Sequence, residues 1–309
     1  MNIEYAITSE CITKKFKEFE LEVENLRIPK GMATALIGEN GAGKTTLLNI
    51  LAGIRLDYEG VVKYFEECES LAKFDARHLD LDRYKDGIGY TGPGNYYMPH
   101  WTIQQVEEIS ALLFADFDRN KFEQWCRDLA VFTPDSNMKN KKVSTLSDGM
   151  RMKLMLSGVL ARDCRLLLLD EPASPLDPLM RDRLCEIIQD YLTEGNGETS
   201  VFFSTHNISD MENVTDYAII MEQGRIVEAG FVEDLKEKYI LVKGESTEAD
   251  AARDILYSIS TNPYGFEGIC LKEDLDKLAG WNVTREIPSL YQISVAVMKK
   301  YSRMRLNRR

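Results

Sequence analysis

Alternation of apolar and polar residues opens the chain. Residues 3–7 and 21–28 follow a period of two, which predicts half-buried antiparallel strands, and Pro29-Lys30-Gly31 between elements is turn chemistry. Residues 32–38 are an almost unbroken apolar run, the pattern of a strand covered on both faces. A glycine-rich segment follows, and residues 45–52 then read as a helix. Between about residues 101 and 161 the period becomes helical, with Ile103, Val106, Ile109 and Leu113 on one stripe. An apolar strand at 166–169 ends in Asp170-Glu171, and a second at 200–203 leads into Ser204-Thr205-His206. Residues 217–221 and 225–228 flank Gln223-Gly224, a hairpin signature.

Strands alternating with helices predict an α/β fold with a largely parallel core sheet, preceded by an antiparallel β part. The helical stretch is expected to form a subdomain at about 96–160. The character changes near residue 239. Residues 243–248 are polar and linker-like, and 250–257, 271–278 and 290–300 are expected as short helices. The expected division is a main domain over residues 1–238 and a small α/β extension over 239–309.

Composition narrows the class. With 44% hydrophobic and 28% charged residues over 309 positions, the chain is globular in type and long enough for a large core. Six scattered cysteines (Cys11, Cys68, Cys126, Cys164, Cys185 and Cys270) form no CxxC pair, so neither a disulfide framework nor a zinc site is expected. A net charge of −12 argues against nucleic acid as a partner, since phosphate repels such a body. The final stretch runs the other way: residues 299–309 hold six Lys/Arg and no acid. The first ten residues lack a basic region followed by an apolar one, so no signal peptide is expected. No apolar run approaches the roughly 20 residues of a membrane helix; any work at a membrane is expected to pass through another chain.

The chemistry begins in the glycine-rich segment. Gly38-Glu39-Asn40-Gly41-Ala42-Gly43-Lys44-Thr45 fits GxxxxGK[ST], between a buried strand and a helix that also holds Thr46. Glycines let a backbone wrap a phosphate with its N–H groups, and the helix brings its positive end to the same anion. Lys44 supplies a mobile charge for the terminal phosphates, and the Thr45 hydroxyl can ligate Mg²⁺. Nucleotide binding is the expectation.

Asp170 and Glu171 stand at the carboxyl end of a strand, where open α/β sheets place their ligand crevice. Neighbouring strand residues point opposite ways, so the pair can divide the work: Asp170 toward Mg²⁺, Glu171 toward an attacking water. Leu146-Ser147-Asp148-Gly149-Met150 opens a helix with good capping residues and makes a second anion-binding tip from Ser147 and the Gly149 amide. One chain needs only one such tip for its own phosphate, which suggests closure over a nucleotide held by another subunit; taken alone, the motif reads as an ordinary capped helix. His206, after its strand, is either structural or a contact for the γ-phosphate and its water.

Together these segments resemble the ABC-type ATPases over about residues 1–235: the P-loop, the LSxGM motif, the strand ending Asp170-Glu171, the Leu176-Asp177 loop and Ser204-Thr205-His206 occur in that family's order. The resemblance implies an ATPase that uses ATP and Mg²⁺. It also implies a head-to-tail dimer, in which Ser147, Gly149 and Asp177 complete the site built by Lys44, Thr45, Asp170 and Glu171 of the other subunit. Phe16 lies where the family places the aromatic that stacks on adenine; a generic core aromatic is the other reading.

The stretch from Ile88-Gly89-Tyr90 to Tyr97, Pro99 and Trp101-Thr102-Ile103 is similar to bacterial ABC-2-type export ATPases, including bacitracin-type, antimicrobial-peptide and phenol-soluble-modulin exporters. That likeness implies a separate transmembrane permease, a place at the cytoplasmic face of the membrane, and a peptide or amphipathic cargo. The aromatic loop at 95–101 is the candidate socket for the permease, or else simple packing. A soluble ABC ATPase acting on ribosomes or DNA is the alternative; one module, no heptads and an acidic body argue against it. Two positions depart from the family. Pro93 stands where a Gln, Glu or Asp is usual; either Asn95 or solvent substitutes, or the loop serves mainly to sense the partner. Pro175 stiffens the loop before Asp177. Neither change touches Lys44, Asp170, Glu171 or His206, so hydrolysis is expected to be retained.

Overall fold

A computed structural model describes residues 3–65, 85–93, 96–132 and 138–306. Cys68, Asn95 and residues 307–309, each part of an expectation above, lie outside the described residues.

The amino-terminal strands β1 (Tyr5–Lys15) and β2 (Glu20–Pro29) pair antiparallel, and β4 (Glu59–Tyr64) adds to β1, giving a three-stranded sheet in the order β2-β1-β4. A tight turn at residues 16–19 joins β1 to β2, closed by a hydrogen bond from the Phe16 amide to the Phe19 carbonyl. Between β2 and β4 the chain makes β3 (Ala33–Ile37) and α1 (Lys44–Leu51).

Strands β3, β5 (Ile88–Thr91), β6 (Leu166–Asp170), β7 (Ser200–Thr205), β8 (Tyr217–Glu222) and β9 (Arg225–Phe231) form a six-stranded sheet in the order β5-β6-β7-β3-β8-β9. Every pair but the β8–β9 hairpin is parallel. The hairpin turns through Gln223 and Gly224, at φ of 47° and 83°, as its sequence signature requires. Every residue of β3, β6 and β7 is buried. Their continuous apolar runs are read twice: Leu167, Leu169, Val201 and Phe203 face one core, while Leu166, Leu168 and Phe202 face the other, beneath α1 and the first sheet. Burying one such side chain contributes about 1.5–3 kcal/mol.

The helical stretch resolves into α2 (Ile103–Leu113), α3 (Arg119–Asp128) and α4 (Asp148–Leu160). Thr102 and Gln105 make a reciprocal capping box at the start of α2. The expected stripe holds only in part. Ile103 and Val106 are buried, joined by Glu107 and Ser110, but Leu112 and Leu113 are 84% and 68% exposed. The helix ends at Phe114, before its apolar stripe can turn inward again. After β6 comes α5 (Pro178–Glu194), with Pro178 at its first position.

Beyond β9, α6 (Val232–Lys238) leads into β10 (Tyr239–Gly244). The extension is more sheet than the expected helices. Strands β10, β11 (Ser258–Asn262), β12 (Gly265–Leu271) and β13 (Val283–Glu286) form a four-stranded antiparallel sheet in the order β11-β12-β10-β13. Residues 250–257 keep one short helix, α7 (Ala249–Ala252), and residues 272–278 form a 3₁₀ segment. The last helix, α8 (Leu290–Leu306), turns back on the main core: Leu290, Ile293, Ala296 and Val297 join the cluster of β3, β6 and β7, and Glu212 accepts a hydrogen bond from the Leu290 amide at 2.9 Å. No helix among the described residues is long and apolar enough to cross a membrane.

Candidate functional site

Parallel pairing sets the site. Ile37 lies level with Thr205, and Asp170 with Ser204, so β3, β7 and β6 end side by side. The glycine loop, His206 and Asp170-Glu171 therefore leave the sheet along one edge, with the histidine strand in the middle.

In the loop, Gly41 and Gly43 take φ of 86° and 106°, the left-handed backbone that favours glycine. Gly38 is required for another reason: a Cβ there would stand 2.5 Å from the Met221 carbonyl of β8. Gly43 precedes α1, whose first turn holds Lys44, Thr45 and Thr46. Lys44 is buried, its Nζ donating to the Gly38 carbonyl at 2.7 Å and to that of Glu39 at 3.2 Å. The same nitrogen lies 3.2 Å from Glu171 Oε1, an ion pair without a hydrogen bond. Ala42 is buried, and its amide closes the loop onto the Glu39 carbonyl.

Glu171 is the hinge of the arrangement. Its φ of 51° is left-handed without being glycine, a conformation that costs about 1–3 kcal/mol and persists only where contacts impose it. Here the Glu171 amide donates to Ser204 Oγ at 2.9 Å, one carboxylate oxygen faces Lys44, and the other lies 2.7 Å from His206 Nδ1. A carboxylate held between a cation and a half-exposed imidazole can accept a proton from water at the cleft surface.

Asp170 is fully buried. Burial pushes its carboxyl above the usual range, against the pull of the Ser204 and Thr45 hydroxyls; nearby Glu171 raises it further and Lys44 opposes this. Ser204 donates to Oδ1, while Oδ2 has no hydrogen-bond partner. An orphaned buried carboxylate oxygen beside a threonine hydroxyl fits a small divalent cation such as Mg²⁺, which takes oxygen ligands. The Ser204 hydroxyl holds both acids in place; the sequence marked it only as the start of Ser204-Thr205-His206, with no sign of its bond to Asp170.

Phe16, Phe19, Asn40, Gly41, Gly43, Lys44, Thr45, Thr46, Pro93 and Glu171 line one cleft of about 740 Å³. Phe16 is 41% exposed on the β1–β2 turn, with Lys14 Nζ and the Arg55 guanidinium about 5.5 Å from its ring centroid (5.6 and 5.5 Å). It is therefore a platform at the rim and not a core residue. Pro93 also borders a second cavity of about 350 Å³ on the far side of Glu171, with Asp148, Met152 and Pro175.

Three candidates stand apart from the cleft. Ser147 and Asp177 cap α4 and α5, accepting from the Met150 amide at 3.3 Å and the Met180 amide at 3.1 Å. Both are exposed. At Gly149 a Cβ would meet the Pro175 carbonyl at 2.7 Å, so close packing within the chain already demands glycine there. In the aromatic loop, Tyr97 is buried and Trp101 packs against the main core, while Tyr96 and Met98 are exposed.

Known proteins resemble this chain in sequence and fold. The ABC transporter family profile matches residues 21–174. The tungstate uptake system ATP-binding protein TupC of Peptoclostridium acidaminophilum is 31% identical over 209 residues, 68% of this chain and 90% of that protein. The bacitracin transport ATP-binding protein BcrA of Enterococcus faecalis is 28% identical over 244 residues, 77% of this chain and 73% of its own. Among solved structures, a dimeric ATP-binding cassette in a post-hydrolysis state bound to ADP and Pi superposes with a TM-score of 0.59 at 21% identity. The match covers 73% of this chain and 98% of that one.

Proposed function

The chain belongs to the ABC transporter family and is an ATPase of that type; on that premise we propose that it powers an exporter of peptide or amphipathic substrates through a separate ABC-2-type transmembrane subunit. The observation that carries the ATPase assignment is the meeting of Lys44, Glu171 and His206 at one sheet edge, where Lys44 and Glu171 line the cleft that Phe16 borders. Residues 1–238 act as the nucleotide-binding domain in this reading, and 239–309 as an accessory extension.

Adenine stacks on Phe16, and residues 38–46 surround the phosphates. Thr45 and Asp170 would hold Mg²⁺, which when bound offsets the charge of the terminal phosphates. Glu171 accepts the proton of the attacking water, and His206 holds the Glu171 carboxylate in position while facing the γ-phosphate. The left-handed backbone at Glu171 keeps the carboxylate at the cleft. Ser147, Gly149 and Asp177 lie outside this cleft and act on the nucleotide of a second, head-to-tail subunit, for which a homodimer suffices.

The direction of transport rests on the aromatic stretch 97–103, and the peptide class of cargo is supported by the bacitracin-transport relative. The exposed Tyr96, Met98, Pro99 and His100 are parts of the aromatic loop free to meet a permease, which would place the protein at the cytoplasmic face of the membrane. The test is purification from detergent extracts of the native cell. A stoichiometric integral-membrane companion, with peptide sensitivity on disruption of the gene, is the expected result. Ribosomes or nucleic acid in its place, or loss of solute uptake, would contradict the reading.

A further inference from the structure

From the contacts of Arg181 we infer that this residue is a positioning residue for His206, stapling together the two chain segments that leave the catalytic pair. The inference rests on the proposed roles of Glu171 and His206. One segment runs from Glu171 to the cap of α5, the other from His206 to β8. Arg181, in the first turn of α5, reaches both. Its Nε donates to the Leu176 carbonyl at 2.9 Å, and its Nη1 donates to Asp210 Oδ2 at 2.8 Å. The same Asp210 oxygen accepts from Asn207 Nδ2 at 3.0 Å, one residue past His206, and the Asp210 carbonyl faces Cys185 Sγ at 3.5 Å.

The geometry makes a closed loop of contacts. Glu171 and His206 touch at 2.7 Å; five residues beyond the first and four beyond the second, the guanidinium joins the strands of chain again. Its ends are firm: Leu176 is buried, and the Arg181 and Asp210 side chains are 29% and 23% exposed. A planar fork can serve a carbonyl and a carboxylate at once, which an ammonium cannot do in the same geometry. A partly buried ion pair with further hydrogen bonds at both ends restrains the register of one segment on the other. Shifting that register moves the imidazole relative to Glu171, and displacement of a catalytic group by about 1 Å can cost roughly 100-fold. Arg181 does not line the nucleotide cleft, so its effect should spare binding.

The test is a cycle built from Arg181→Gln, His206→Ala and the double variant, read as single-turnover ATP hydrolysis beside fluorescent-nucleotide affinity. Arg181→Gln is expected to lower kcat by about 10- to 100-fold with KM nearly unchanged. It should cost nothing further in the His206→Ala background, and Arg181→Lys should recover only part of the loss. An equal loss in both backgrounds would overturn the inference, as would wild-type kcat in Arg181→Gln. Should that variant fold poorly, Asp210→Asn breaks the same staple from the other side and is judged by the same comparison. Glu171→Gln separates the two readings. If it still hydrolyses ATP, the site assignment itself fails; if it is inactive while Arg181→Gln and His206→Ala add, only the staple fails.

Discussion

The six-stranded core sheet and the four-stranded sheet of the extension are both well-packed, yet only one gathers chemistry. In the core, β6, β7 and β3 run parallel, so their carboxyl ends share an edge and Asp170, Glu171, His206 and the glycine loop arrive together. In the extension every neighbour is antiparallel, so strand ends alternate between the two edges. No group of three or more His, Cys, Asp or Glu able to hold a metal forms among the described residues. The extension instead spends its last helix on the core, where α8 buries Leu290, Ile293, Ala296 and Val297. Its own cluster has seven buried residues. Parallel connectivity concentrates function; antiparallel connectivity here makes a support.

That contrast can be broken at matched phenylalanines. Phe203→Ala in β7 removes a fully buried ring that both neighbouring strands depend on, and is expected to cost about 3–5 kcal/mol of stability, read as a loss of urea resistance with loss of ATPase activity. Phe266→Ala in β12 should destabilise the extension while leaving nucleotide binding intact, since Phe266 packs on Gly244 and Val283 and not on the cleft. Equal loss of nucleotide binding in both variants would show the two sheets to be one cooperative unit.

Next in size is Lys44→Ala, expected to lower kcat/KM for ATP by about 10²- to 10³-fold. Phe16→Ala should weaken ATP binding by about 1–3 kcal/mol through lost stacking, with kcat nearly unchanged and little preference left between ATP and GTP. The smallest effect tests the extension's surface: Tyr264, 94% exposed, should tolerate Ala within about 0.5 kcal/mol. Thiol reactivity sharpens the comparison. Burial pushes the Cys164 thiol up to about 12 and that of Cys270 up to about 11, so neither should label at neutral pH in the native protein, whereas exposed Cys11 should. In rising denaturant Cys270 is expected to react before Cys164. Simultaneous exposure would mean that the extension does not open separately.

The same contrast decides what the sequence could reveal. Strands covered on both faces write unbroken apolar runs, so β3, β6 and β7 were legible, and their terminal residues marked the site. Glycine spacing marked the loop, although Gly38 proved to be needed for close packing on Met221 and not for its backbone angle. The extension was expected as α/β, but its individual strands were not placed: β11 and β13 are short and mostly exposed, with little alternation to betray them. Arg181, and the pairing of Ser204 with Asp170, were beyond reach for another reason. Each acts through partners distant in sequence, and nothing in a single chain's pattern pairs Arg181 with Asp210 or Ser204 with Asp170. Leu113 misled the period count because it is the last residue of α2, beyond the reach of the core.

The central claim is that Glu171, held between Lys44 and His206, activates the water that cleaves ATP. The most direct measurement is steady-state ATP hydrolysis and equilibrium ATP binding on one preparation of Glu171→Gln. The account predicts turnover reduced by about 10²- to 10⁴-fold with ATP affinity retained and an ATP-bound dimer accumulating; hydrolysis near the wild-type rate would contradict it.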